Sequence, residues 1–156
     1  MTGPRENKLE ELGFPLDKVP APAAIYKHVV IDGDTLYSSG AIPVTDGAVV
    51  FKGKVPGEVP LEKAQDAARL CAANILRCVR RELGSLDKIV RLVRATGYVN
   101  SDPLFTDQHL VMNGASQFFK DVLGEDAGMG ARSAVGVATL PLGCAVEVEA
   151  IFKIRA

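Results

Sequence analysis

Hydrophobic residues recur along this chain at two different periods, and the change between them separates its elements. From Pro60 the period is helical: Ala64, Ala67, Ala68, Cys71, Ile75, Cys78, Val79 and Leu83 fall at three- and four-residue steps. Pro60 suits a first helical position and Gly84 stops the run. A second helix is predicted over Phe105–Leu123, carrying Leu110, Val111, Ala115, Phe118, Phe119 and Val122 on one stripe. Residues 5–13 predict a short amphipathic helix, with Leu9 and Leu12 set among Arg, Glu and Lys. Pro15, Pro20 and Pro22 then impose an extended connector.

The strand signals are shorter. Lys27–Ile31 and Thr35–Ser39 flank the Asp32-Gly33-Asp34 turn, and Asp46-Gly47 introduces a third strand, Ala48–Lys52. Lys88–Asn100 is rich in β-branched residues, with Gly97 marking a bulge. After the glycines at 124, 128 and 130, strands Ser133–Ala138 and Ala145–Ile154 close the chain. The order is three strands, helix, strand, helix, two strands. An α+β domain with a single mixed sheet and two helices packed on one face satisfies it economically.

The final strand sharpens this picture. Val146, Val148, Ala150, Phe152 and Ile154 alternate with Ala145, Glu147, Glu149, Ile151 and Lys153, so one face suits a core and the other is half apolar. A half-apolar face left open by one-sided helices calls for burial against other subunits, and a ring-like homo-oligomer, a trimer, is expected.

Length allows one domain over residues 1–156, with residues 1–20 as an N-terminal extension bearing the short helix. No apolar run approaches the ~20 residues of a membrane span, and the N-terminus has no apolar signal region, so a cytoplasmic location is expected. A net charge of −1 argues against a polyanion partner. The basic series Arg77, Arg80, Arg81, Lys88, Arg91, Arg94 reads as a solvated helix face followed by the outer side of a strand. Cys71 and Cys78 lie seven residues apart in one helix, about 10 Å, too far for a disulfide. They read as reduced, buried thiols. Cys144 stands alone near the last strand, and no Cys/His set has metal-ligand spacing.

The candidate chemistry sits in the last quarter, Gly130-Ala131-Arg132-Ser133-Ala134-Val135-Gly136-Val137, then Leu140-Pro141, then Val146-Glu147-Val148-Glu149-Ala150. It sets one arginine at the mouth of a strand and two carboxylates on the next. Glu147 and Glu149, two residues apart, share a sheet face at roughly 6.5–7 Å. Mutual repulsion and partial burial would raise one pKa toward neutrality, where a carboxylate serves best as acid or base. A fixed cation and a proton acceptor over one small pocket suit a small carboxylated substrate.

These residues, with Ser38-Ser39-Gly40-Ala41-Ile42-Pro43 and Ala21-Pro22-Ala23-Ala24-Ile25, closely resemble the RidA (YjgF) family of enamine/imine deaminases over about residues 20–155. The resemblance implies a chorismate-mutase-like fold, homotrimers and a ligand site between adjacent subunits. It implies that Arg132 binds the substrate carboxylate, through the paired donors of a guanidinium that lysine cannot reproduce. Glu147 would position or activate water, and Ser39 would hydrogen-bond ligand or water. Tyr26 and Asn113 would line the pocket, and backbone around Gly130 and Ala131 would orient the substrate. Glu149 is left open between a site role and an ordinary ion pair. Where the family often has cysteine, Ala134 stands here, and the surroundings of Asn113 and Met129 resemble a less characterised branch.

The function implied is hydrolysis of 2-aminoacrylate-like enamines or 2-imino acids to 2-keto acids and ammonia. Positioning plus proton transfer, the latter worth ~100–10,000-fold, suffices for so reactive a substrate without nucleophile, metal or other cofactor. A non-catalytic, small-carboxylate-binding regulatory trimer shares the same pocket and is the alternative. Ribonuclease or translation-inhibitor activity, a label attached to the family, ranks lower, because aromatics are scarce and the charge is negative.

Overall fold

The computed structural model describes residues 2–22 and 24–155, so Ala23 of the Ala21–Ile25 motif lies outside the described residues. Helix α1 spans Pro4–Glu11, α2 Leu61–Leu83 and α3 Gln108–Leu123. Strands β1 (Val29–Asp32), β2 (Thr35–Ser38), β5 (Ile89–Asn100), β6 (Ala131–Val137) and β7 (Val146–Ile154) form the main sheet, while β3 (Val44–Thr45) and β4 (Ala48–Val49) pair apart from it. The main sheet runs β1-β2-β7-β5-β6, antiparallel throughout except for the parallel β5–β6 pair at one edge. This is the mixed α+β arrangement that the periods predict, with the predicted short N-terminal helix as the third beside the two long ones.

The core lies between the α2–α3 layer and the inner face of the sheet. Val146, Val148, Ala150, Phe152 and Ile154 of β7 are all buried there, against Ile75 and Leu76 of α2 and Met112, Phe118 and Phe119 of α3. Small residues allow the close approach. A Cβ on Gly114 would collide with the Gln65 carbonyl oxygen, so α3 crosses α2 at backbone contact. Gly97 has the same role between α3 and β5: it keeps regular register with both Val148 and Ala134, and a Cβ there would strike Met112 Sδ. The bulge expected at Gly97 is absent; the register shifts of β5 fall instead between Ile89 and Arg91 and between Leu92 and Arg94.

Other boundaries move for identifiable reasons. The expected strand Ala48–Lys52 shrinks to two residues because Asp46 (φ 50°) and Gly47 (φ 79°) close a tight primed turn onto Val44–Thr45, and Phe51 (φ 58°) bends the chain away. Pro60 is the N-cap of α2, with ψ 158°, rather than its first helical residue. Phe105 stays in a turn before α3, whose N-cap is Asp107.

α1 is part of the core. Leu9 is fully buried, and the Glu6 carboxylate, also buried, accepts the Leu86 backbone N–H at 2.7 Å. Arg5 donates to the carbonyls of Leu86, Ile89 and Leu123 at 3.1, 2.6 and 3.1 Å, tying α1 to the starts and ends of three other segments. The basic series disperses in three dimensions. Arg77, expected on a solvated face, is buried, donating to the Pro15 carbonyl and Asn74 Oδ1. Arg94 lies on the outer sheet face and donates to Ser133 Oγ at 2.7 Å.

That outer face carries a continuous row, Val30–Tyr37–Ile151–Arg94–Ala131, across all five strands. Val30, Tyr37 and Val135 are exposed on it. The three cysteines are free and buried, and burial pushes the Cys78 and Cys144 thiols up to about 11, so both are protonated at neutral pH. No described helix is long and apolar enough to cross a membrane.

Candidate functional site

Arg132 is the second residue of β6, inside the strand rather than at its mouth, and pairs with Ala95 of β5. Because Ala95 faces the core, Arg132 also points to the helix side of the sheet. There its guanidinium lies on α3. Nη1 donates to Asn113 Oδ1 at 3.0 Å and Ser116 Oγ at 3.1 Å, and Nη2 donates to the His109 carbonyl at 3.1 Å. His109, Asn113 and Ser116 share one stripe of α3 by their four- and three-residue spacing.

All three acceptors are neutral. Among the described residues Arg132 has no ion-pair partner, and three of its five N–H donors are committed. Two donors and the whole positive charge are left for something else. Beside the guanidinium is a cleft of about 220 Å³ lined by Leu92, Ala95, Ser116, Met129, Gly130 and Ala131. Gly130 permits this approach: a Cβ there would press on the Leu92 carbonyl at 2.8 Å. β6 is also the sheet edge, so part of its backbone hydrogen-bonding capacity faces outward within one chain.

A second group of expected residues gathers at the other side of the sheet. Ser39 follows β2; its Oγ donates to the Lys27 carbonyl at 2.6 Å and its N–H to the His28 carbonyl at 2.9 Å. Tyr26 is exposed and stands edge-on to His28, ring centroids 5.4 Å apart. Tyr26, Ser39 and Gly40 line a small cavity of about 70 Å³. Gly40 is required by its neighbour, since a Cβ would collide with Glu147 Oε1. Reciprocal backbone bonds between Ala41 and Val148, at 2.7 and 3.0 Å, hold this segment beside Glu147.

Glu147 is half-buried on the outer face, and burial first, then repulsion from Glu149, push its carboxyl above the usual carboxylate range. Glu149 is differently placed. It accepts the Tyr98 hydroxyl at 3.0 Å, and Tyr98 is itself pushed up, by burial first and then by holding that proton toward Glu149. The expected pair of inequivalent carboxylates is present, with Glu147 the less compensated member.

Within one chain the two groups do not share a pocket. Arg132 faces the helix layer from the edge strand β6. Glu147 faces the opposite side from β7, two strands in, and the residue level with it on β6 through Tyr98 is Val135. At ~4.8 Å per strand that is about 10 Å across the sheet plus its thickness. Asn113 is found seating Arg132 rather than standing free in the cleft. Ser116 and the His109 carbonyl complete that seat; periodicity alone assigns them to a polar helix stripe, and only the position of β6 over α3 reveals their partner.

The arrangement defines a protein with a mixed-sheet α+β domain, an uncompensated arginine at one sheet edge and a carboxylate of raised pKa behind a glycine turn on the other face. The sequence model of the endoribonuclease L-PSP family matches residues 16–154, and the chain belongs to that family, the YjgF/RidA family. The solved structure of protein Atu1372 from Agrobacterium tumefaciens is similar at 45% identity, covering 98% of this chain and 94% of that one, with a TM-score of 0.90. Protein TCP17 of Trypanosoma cruzi is 40% identical over 147 residues, 94% of this chain and 92% of that protein. E. coli TdcF, solved with bound serine, is 27% identical, covering 89% and 94% of the two chains with a TM-score of 0.63.

Proposed function

We propose that the protein is a hydrolytic deaminase of small 2-imino acids and their enamine tautomers, working as a homotrimer in the cytoplasm. The observation that carries this reading is the Arg132 guanidinium, held in place by three neutral oxygens with its charge unmatched. A ligand carboxylate supplies the missing charge through the two free donors, each charge-assisted bond worth about 1.5–3 kcal/mol when shielded. That TdcF was solved with bound serine, a small amino acid, supports the same ligand class.

The two half-sites belong on adjacent copies in this reading. The open outer face and the free β6 edge are where a second copy brings its Ser39–Glu147 corner to the Arg132 corner of the first. Ionised Glu147 takes a proton from water as the water oxygen bonds to C2 of the protonated imine. Protonated Glu147 returns its proton to the amine nitrogen of the resulting carbinolamine, and as the hydroxyl proton passes to solvent water the C–N bond breaks, releasing the 2-keto acid and ammonia. Ser39 hydrogen-bonds the water or ligand, and Tyr26 closes the pocket.

The experiment is enzymatic generation of 2-iminopropanoate with ammonia release followed for wild type and Arg132→Ala. Loss of acceleration in the variant is expected; equal rates overturn the reading. Arg132-dependent ligand binding with no acceleration by wild type would identify the non-catalytic binding trimer instead, a reading that the serine-bound relative also favours. Salt-sensitive RNA binding would speak for the activity in the family's name.

A further inference from the structure

The cleft beside Arg132 continues. Ser116 and Met129, which line it, also line a larger groove of about 590 Å³ between α2 and α3, together with Gln65, Arg69, Gln117 and Lys120. Ser116 and Lys120 are one turn apart on the same stripe of α3, about 6 Å along the helix. Through Ser116 and Met129 the cleft beside Arg132 adjoins a groove that holds a second pair of cations, one from each helix.

The charges at this far end are unequally satisfied. Asp66 also lines the groove; its ion pair is with Lys63 at 3.6 Å, and it makes none with Arg69. Arg69 is half-buried and lies 5.6 Å from the ring centroids of both Phe14 and Phe118, with no ion-pair partner among the described residues. Its aromatic contacts fix the guanidinium without cancelling its charge. Lys120, half-buried, meets the exposed Glu125 at 2.9 Å, a pair that a ligand carboxylate can exchange. Two arginines that make no ion pair among the described residues thus lie on adjoining clefts.

We propose that this groove is a second anion subsite, and that the preferred ligands are 2-keto or 2-imino acids with a second carboxylate. The α-carboxylate sits on Arg132 and the distal carboxylate between Arg69 and Lys120, with Gln65 and Gln117 offering amide donors along the way. This inference rests on the assignment of Arg132 as the carboxylate anchor and adds to it the class of substrate.

Calorimetric titration with 2-oxoglutarate and with 2-oxopentanoate, which has the same chain length and one carboxylate, tests it on the intact protein. Wild type is expected to bind the dicarboxylate at least about fivefold more tightly, the scale of a partly exposed ion pair. Lys120→Gln should cut that ratio severalfold, and Arg69→Gln should bring it near one. Lys8→Gln, which removes the same charge on α1, should leave the ratio intact. Equal affinity of wild type for the two ligands, a ratio that survives both groove variants, or an equal drop with Lys8→Gln would each overturn the subsite. The anchor fails separately: 2-oxopentanoate would then bind Arg132→Ala as well as wild type, or fail to bind wild type at all. Should Arg69→Gln lose its fold with its stacking, Lys120→Gln on the solvent-facing stripe carries the test alone.

Discussion

The Arg132 corner and the Ser39–Glu147 corner solve opposite electrostatic problems. At the first, a permanently charged guanidinium is held by Asn113, Ser116 and the His109 carbonyl, acceptors that orient it and leave its charge intact. At the second, burial and a like-charged neighbour disfavour the charge of Glu147, so its proton is held more tightly than in water. In the proposed function one corner attracts an anion and the other exchanges a proton. Separating the two tasks on opposite sheet faces keeps Arg132 from pairing with Glu147 inside one chain, which would silence both.

The largest expected effect comes from removing the first corner's charge. Arg132→Ala should lower kcat/KM for 2-iminopropanoate about 100-fold or more, and Arg132→Lys should recover little, since an ammonium cannot present two fixed donors. Steady-state ammonia release checks both. Glu147→Gln should lower kcat by about 100-fold with KM changed far less, the split expected of a proton acceptor rather than an anchor. Gly40→Ala should act in the same direction, because the new methyl displaces the Glu147 carboxylate.

Smaller effects sharpen the contrast. Ser116→Ala removes one of three bonds that seat Arg132, and should raise KM about three- to tenfold with kcat nearly kept. The acid limb of the rate profile should lie above the ordinary glutamate range, because the proposed mechanism needs ionised Glu147 and its carboxyl is pushed up.

The same shift has a stability consequence of definite sign. As pH rises through the ordinary carboxylate range the unfolded chain releases this proton first, so the native state loses stability until its own Glu147 ionises. Glu147→Gln should therefore raise Tm at pH 7 by about 1–3 °C and flatten its decline above the ordinary carboxylate range, measured by thermal melts across pH.

Much of the fold could be read from periodicity because α2, α3 and β7 each bury one clean face. The alternation of Val146 to Ile154 named the core side without error. Signals that depend on a neighbour were not legible. Gly97 looks like a bulge until Met112 is seen to occupy the space of its missing Cβ. Ala48–Lys52 has strand composition, but the turn at Asp46-Gly47 fixes a local partner first. The short N-terminal helix is legible from Leu9 and Leu12, but it takes the three carbonyls of Leu86, Ile89 and Leu123 to show why Arg5 is there.

The site divides in the same way. Arg132, Glu147 and Ser39 stand out by their motifs, and the raised carboxyl of Glu147 matches the partial burial and repulsion expected of two glutamates on one face. The distribution of the three over two sheet faces is not legible, since it depends on the order β2-β7-β5-β6. Nor is the Arg132 seat, for which Ser116 is an unremarkable polar residue in a helix until β6 crosses it.

Titration of 2-oxobutanoate into wild type and Arg132→Ala by calorimetry tests the anchor most directly, because binding is read without relying on turnover. Saturable binding by wild type that falls at least about 30-fold in the variant, some 2 kcal/mol, is the result expected of two shielded charge-assisted bonds. Matching affinities in a variant that retains its native melting profile would contradict it.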